Sequence, residues 1–129
     1  MPIFDKSTTK DLRAFLYNSY IHDSELESVR YEHGKDSIMI EANNPIFHVK
    51  TRLTFCDIGI ALAIRGDDLG SRETILSLTV EDDLSLLQNH IQKSKFRGED
   101  ALYLLMQMFS GDELHIIAKK VIIESAKWS

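Results

Sequence analysis

The first stretch with a clear pattern is TTKDLRAFLYNSY, in which Leu12, Phe15, Leu16, Ser19 and Tyr20 recur at steps of three and four. That spacing lays a mainly apolar stripe along one face and predicts a helix over residues 9–20. Thr8, with Asp11 three residues on, stands where a capping pair would start it. A short helix with one apolar stripe needs a sheet or a second helix to cover it.

Past Asp23 the period falls to two. In LESVRYEHGKDSIMIEA, Val29 and Tyr31 alternate with Arg30 and Glu32, and Ile38 and Ile40 alternate with Met39 and Glu41. Two strands are predicted around the turn-prone residues 33–36. Pro45 ends the second of them, since it has no N–H to give to a ladder. IFHVKTRLTFC follows with the cleanest alternation in the chain. Phe47, Val49, Thr51, Leu53 and Phe55 share one side, and His48, Lys50, Arg52, Thr54 and Cys56 the other. This describes a strand with one face on a core and one face wet.

DIGIALAIRGDD predicts the next strand, with Ile58, Ile60, Leu62 and Ile64 in phase. Its small opposite face (Gly59, Ala61, Ala63) would let a helix approach closely, the N-terminal one being the candidate. After a turn at residues 66–70, ETILSLTVE reads as a strand in which Ile75 is out of phase with Leu76, Leu78 and Val80. Leu84, Leu87 and Ile91 share a helical face and predict a further short helix, with strand the competing state for residues 82–91. QKSKFRGED reads as a surface loop. ALYLLMQMF and ELHIIAKKVIIESA then predict a hairpin around residues 110–112, SGD; helix is the competing state for the first half, and the β-branched density of HIIAKKVII favours strand.

These elements predict an α+β fold in one domain, residues 1–129. It is an antiparallel sheet of about six strands with an N-terminal helix and one further short helix. The closing strand is apolar on both sides around Ile116, Ile117, Ile122 and Ile123. Either the monomer covers its outer face or self-association does, and the expectation favours a homo-oligomer with Ile116, Ile117 and Ile122 at the contact.

Composition narrows the classes. A chain of 129 residues with 43% hydrophobic and 27% charged residues is globular and long enough to bury a core without disulfides. Cys56 is the single cysteine, which excludes an internal disulfide and a CxxC motif and suits a reducing compartment. The net charge of −5 opposes nonspecific nucleic-acid binding. The N-terminal residues lack a signal-peptide pattern, and the longest apolar run, residues 58–64, is too short to span a bilayer. The expectation is a cytoplasmic protein that binds neither membrane nor nucleic acid.

The densest polar cluster is His22, Asp23 and Ser24, followed by Glu25. Neighbours in sequence point in different directions, so they do not make a triad, and the G-x-S-x-G of a nucleophile elbow is absent. Asp23 or Ser24 suits the joint between helix and strand, accepting from backbone N–H groups. No H-x-x-x-H or H-x-H spacing points to a metal, and no G-x-G-x-x-G or G-x-x-x-x-G-K points to a nucleotide cofactor. No catalytic residue, metal ligand or cofactor is therefore assigned. The most concrete surface feature is the ridge His48, Lys50 and Arg52, which would meet an acidic protein partner or pair with Glu41 or Glu32 on neighbouring strands.

The run IHDSELESVRY, leading from a helix into the first strand, together with the closing SGDELHIIAKKVIIE, resembles small bacterial proteins of uncharacterised function. In these a similar HDS run opens the first strand, and some look immunity-like or phage-associated. The matching positions are His22, Asp23 and Ser24, with Leu114, Ile116, Val121 and Ile123 on the closing strand. The resemblance carries over no catalytic residue and implies a small sheet domain with a binding role. The resulting expectation is a noncatalytic protein-binding or accessory protein. The alternatives are a small enzyme with a pocket near His22 and Asp23, joined by His48, and a structural homo-oligomer subunit.

Overall fold

The computed structural model describes residues 2–64, 74–82 and 101–128. A short strand β1 (Ile3–Asp5) leads through a 3-10 turn into helix α1 (Thr9–Tyr17). Strands β2 (Glu25–Glu32), β3 (Ser37–Asn44), β4 (Val49–Ile64), β5 (Ile75–Glu81), β6 (Leu102–Met108) and β7 (Glu113–Lys127) follow. All pair antiparallel in one sheet of order β2-β3-β4-β7-β6-β5, with β1 on β7. The fold is α+β, as the patterning predicts. The predicted helix within residues 82–91 lies, past Asp82, outside the described residues, as do the turn at 66–70 and the loop at 92–100.

Strand β7 is the spine. One of its edges pairs with β4 along its length, and the other takes β6 against its first half and β1 against its second. The two strands expected at residues 46–56 and 57–64 are a single sixteen-residue strand. Asp57, at φ 55°, interrupts its alternation without ending it. Phe55 and Ile58 both face the main core, as do Val121 and Ala118 opposite them. The phase thus slips by one on both strands at the same level, and the sheet faces are exchanged there.

This slip accounts for the doubly apolar closing strand. Ile116 joins the main core, while Ile117 joins a second cluster with Ile60, Tyr103 and Ala101. They are 2% and 1% exposed, so the chain itself covers both sides of β7 there, and neither residue is the surface contact expected of it. Ile122 differs. It is partly exposed and paired with the exposed Ile3 of β1.

Three further expectations are corrected. Ile75, not Leu76, is buried with Leu78 and Val80, because a bulge between Ile75 and Ser77 resets the phase of β5. Helix α1 packs on β5 and β1 instead of the small residues of β4, where Ala61 and Ala63 are exposed. Thr8 does not cap α1 with its side chain. Its hydroxyl accepts from the Asp5 N–H at 2.9 Å, while the Asp5 carboxylate accepts from the Ser7 N–H at 2.9 Å, so the capping box closes one turn earlier.

The Ser7 hydroxyl, with the Ser7 and Thr8 amides, holds the Asp5 carboxyl below its ordinary value of 3.8. A depressed folded-state value means that the cap stabilises above the unfolded-state pKa and is lost as pH falls through the folded one. Unfolding midpoints of the wild type and Asp5→Asn are accordingly expected to differ near neutrality and to converge in acid below about pH 4. A constant difference across that range would contradict the cap.

Candidate functional site

The joint between α1 and β2 is built by its polar residues. The helix ends where Asn18 donates through its side chain to the Ala14 carbonyl (2.9 Å) and Ser19 Oγ donates to the Leu16 carbonyl (2.8 Å). Asp23 adopts the left-handed conformation at φ 66°, which turns the chain sharply into β2. Ser24 is 1% exposed, and its hydroxyl donates to the Tyr20 carbonyl. The buried Asn44 donates to that same carbonyl (3.2 Å) while its Oδ1 accepts from the Ile46 and Phe47 amides, tying the β3–β4 turn to the joint.

The same residues bring two sheet edges together. The Asp23 N–H donates to the Ile75 carbonyl at 2.7 Å and the Ile75 N–H to the Ser24 carbonyl at 2.8 Å, beside an antiparallel bridge between Glu25 and Thr74. The ends of the sheet, β2 and β5, therefore meet at this level. At φ 66° a β-branched side chain is strained. Asp23→Val is expected to lose about 1–2 kcal/mol more stability than Asp23→Gly in urea unfolding. Equal losses would show that the turn relaxes.

Beyond Ile75 the edges part. The chain leaves β2 at Asp23 for the helix, whereas β5 runs on to Glu81. Between the end of α1 and this stretch of β5 lies a groove of about 640 Å³. Leu16, Ile21, Leu78 and Val80 make its apolar floor; Arg13, Tyr17, His22 and Thr79 stand at its sides. Tyr17 is 86% exposed, an unusual placement for an aromatic ring. Arg13 donates to the Val80 carbonyl (3.1 Å) and pairs with Asp82 (2.8 Å).

Of the predicted polar cluster, only His22 reaches this groove. Its ring lies 3.4 Å from Asp23 Oδ2, and both side chains are more than half exposed, a geometry worth little energetically. The Ser24 hydroxyl is committed to a carbonyl oxygen and is not poised as a nucleophile. His48 is elsewhere, at φ 57° in the β3–β4 turn, where it stacks on Trp128 at 4.5 Å. His48 consequently does not extend the ridge of β4, because the strand starts only at Val49, and the half-exposed Phe47 stacks on Tyr20 instead of entering the core.

Lys50 and Arg52 do project from one face, among carboxylates. Glu41 lies 3.7 Å from Arg52 and 2.9 Å from Arg30, and Glu27 lies 3.8 Å from Lys50. The ridge is thus part of a mixed-charge lattice across β2, β3 and β4. Cys56 lies on the same outer side of β4, and burial pushes its thiol pKa up, which keeps it protonated.

Patterning also missed a buried polar group on β7. His115, fully buried on β7, has Nδ1 2.6 Å from the Tyr103 hydroxyl and Nε2 3.1 Å from a Glu113 oxygen. A ring protonated on Nε2 satisfies both contacts, donating to the carboxylate and accepting from the phenol. The signal was a lone polar residue within LHII, since such a residue in an apolar strand needs a buried partner.

Among the described residues no group of three or more histidine, cysteine or carboxylate side chains is placed to hold a metal, and no helix is long and apolar enough to cross a membrane. In comparisons with known proteins the chain matches no family model and no curated protein.

Proposed function

We propose that the chain is a noncatalytic protein-binding module that engages its partner through the groove between α1 and β5. The observation that carries this reading is the groove itself, which sets an apolar floor against the outer edge of β5. Clefts that bind are typically apolar with a few polar groups at the margin, and this one has Arg13, His22 and Thr79 there. The polar residues near it are spent on structure: Ser24 holds a turn, Arg13 binds a carbonyl and an aspartate.

The test is a tagged pull-down from the native cell, quantified by mass spectrometry, together with the solution mass of the pure protein. His22→Trp places a large ring over the groove from an exposed position. It is expected to reduce a stoichiometric partner about tenfold or more, while Lys50→Glu with Arg52→Glu leaves the partner in place. The reverse pattern would move the interface to the outer face of β4. A partner retained by both variants would remove the groove from the account.

A further inference from the structure

We infer that the occupant of this groove is an extended peptide segment of the partner, added to β5 as an antiparallel strand. The inference rests on the groove reading above and names the chemistry of its ligand.

The edge of β5 is already half used in this way. At its start, Ile75 exchanges hydrogen bonds with Asp23 and Ser24, so an antiparallel ladder begins on that edge. It stops only because the chain turns away into α1. Further along, the Met108 N–H donates to Asp112 on the β7 side, so Leu104 turns that way too, and Val80, opposite Leu104, turns its carbonyl outward to accept from the Arg13 guanidinium. Arg13 stands there as a surrogate for the N–H of a missing neighbour strand.

Directions repeat every second residue along a strand, so Leu78 turns its N–H and C=O the same way as Val80. β5 ends the strand order, and among the described residues no strand continues on that edge beyond the Ile75 exchange. A segment of about five residues, spanning roughly 17 Å, matches residues 77–81.

Side-chain specificity follows from the same register. A ligand residue opposite Leu78 or Val80 exchanges backbone bonds with it and shares its face. Its side chain therefore lands on the apolar floor with Leu16 and Ile21. The residue between them points to the other face, beside the polar Thr79. The ligand is thus a segment with apolar residues at i and i+2, a polar residue between them and no proline at either apolar position. The positions that need a free amide and those that need an apolar side chain are the same positions.

The experiment is selection of a phage-displayed library of linear ten-residue peptides on the full-length protein. Affinities of enriched synthetic peptides are then measured for the wild type, His22→Trp and Thr79→Trp, with thermal melts confirming that each variant folds. Thr79 is exposed on a strand, where a tryptophan is well tolerated, so the two variants obstruct opposite walls independently.

The expected result is a shared apolar–polar–apolar motif whose binding both variants weaken. Methylation of the backbone nitrogen at either apolar position should cost about tenfold or more, and at the intervening one little. Peptides that are lost in both variants but indifferent to N-methylation would overturn strand addition and leave the groove as a binding site. Failure to enrich any peptide sensitive to the variants would overturn strand addition as well. The pull-down with His22→Trp then decides separately whether the groove binds a folded surface.

Discussion

Leu12→Ala is expected to lower the free energy of unfolding by about 3 kcal/mol. Leu12 is 0% exposed and belongs to the main core, to which α1 contributes only one other fully committed residue, Leu16. Truncation removes the transfer energy of the buried methyl groups and leaves a cavity that nine residues of helix, held between β5 and β1, collapse onto only in part. The helix is also one wall of the groove, so the same substitution tests two levels at once. Urea denaturation of the wild type and variant gives the stability difference. A loss under about 1 kcal/mol would mean that α1 is not anchored through Leu12, and the groove would lose its fixed wall.

Phe55→Ala is expected to cost about 4 kcal/mol, the largest effect of any substitution proposed. Phe55 is 1% exposed on β4, paired with Ile38 on one side and Val121 on the other, immediately before the phase slip at Asp57. Its ring fills the main core at the level where the sheet exchanges its faces, and no neighbouring strand is free to move in and fill the space. Cys56→Ala is the matched control one residue along. Cys56 lies on the other side of the strand and is partly exposed, so a change of about 1 kcal/mol or less is expected. Similar losses at both positions would show that β4 does not alternate as described through residue 56.

Much of the fold was legible because a strand with one wet face writes its period into the sequence. Val49, Thr51, Leu53 and Phe55 are buried, and Lys50 and Arg52 are exposed, as the alternation requires. The hairpin of β2 and β3 and the turn after Asn44 were readable for the same reason, and the hairpin of β6 and β7 from the β-branched density of HIIAKKVII after the SGD turn. β1 was not, because three residues are too short for any period to register. Where a slip or bulge intervenes, at Asp57, between Ile58 and Ile60 and between Ile75 and Ser77, strict counting assigns the wrong face. The side-chain types there do not reveal that the alternation is broken.

The candidate site divides in the same way. The run at residues 22–24 announced a joint, since Asp and Ser are suited to bonding the backbone at a turn. Its further role in joining β2 to β5 rests on contacts between residues about fifty positions apart, which no local pattern encodes. Asn44 offered a partial signal, because an asparagine before Pro45 commonly bonds the amides two and three residues on. Arg13 offered none: its meaning depends on the Val80 carbonyl being left on an outer edge, a property of strand order.

Local period thus writes α1, the longer strands and most of the buried side chains into the chain, along with the absence of familiar catalytic spacings. Strand pairing, by contrast, sets the cover on both faces of β7 around Ile116 and Ile117, the carboxylates around the basic ridge, and the groove left beside a strand edge where β5 outruns β2. The physical reason is one of range. Periodicity is set by backbone geometry over a few residues, whereas faces, neighbours and edges are set by which strands pair, a choice made by burial summed over the whole sheet.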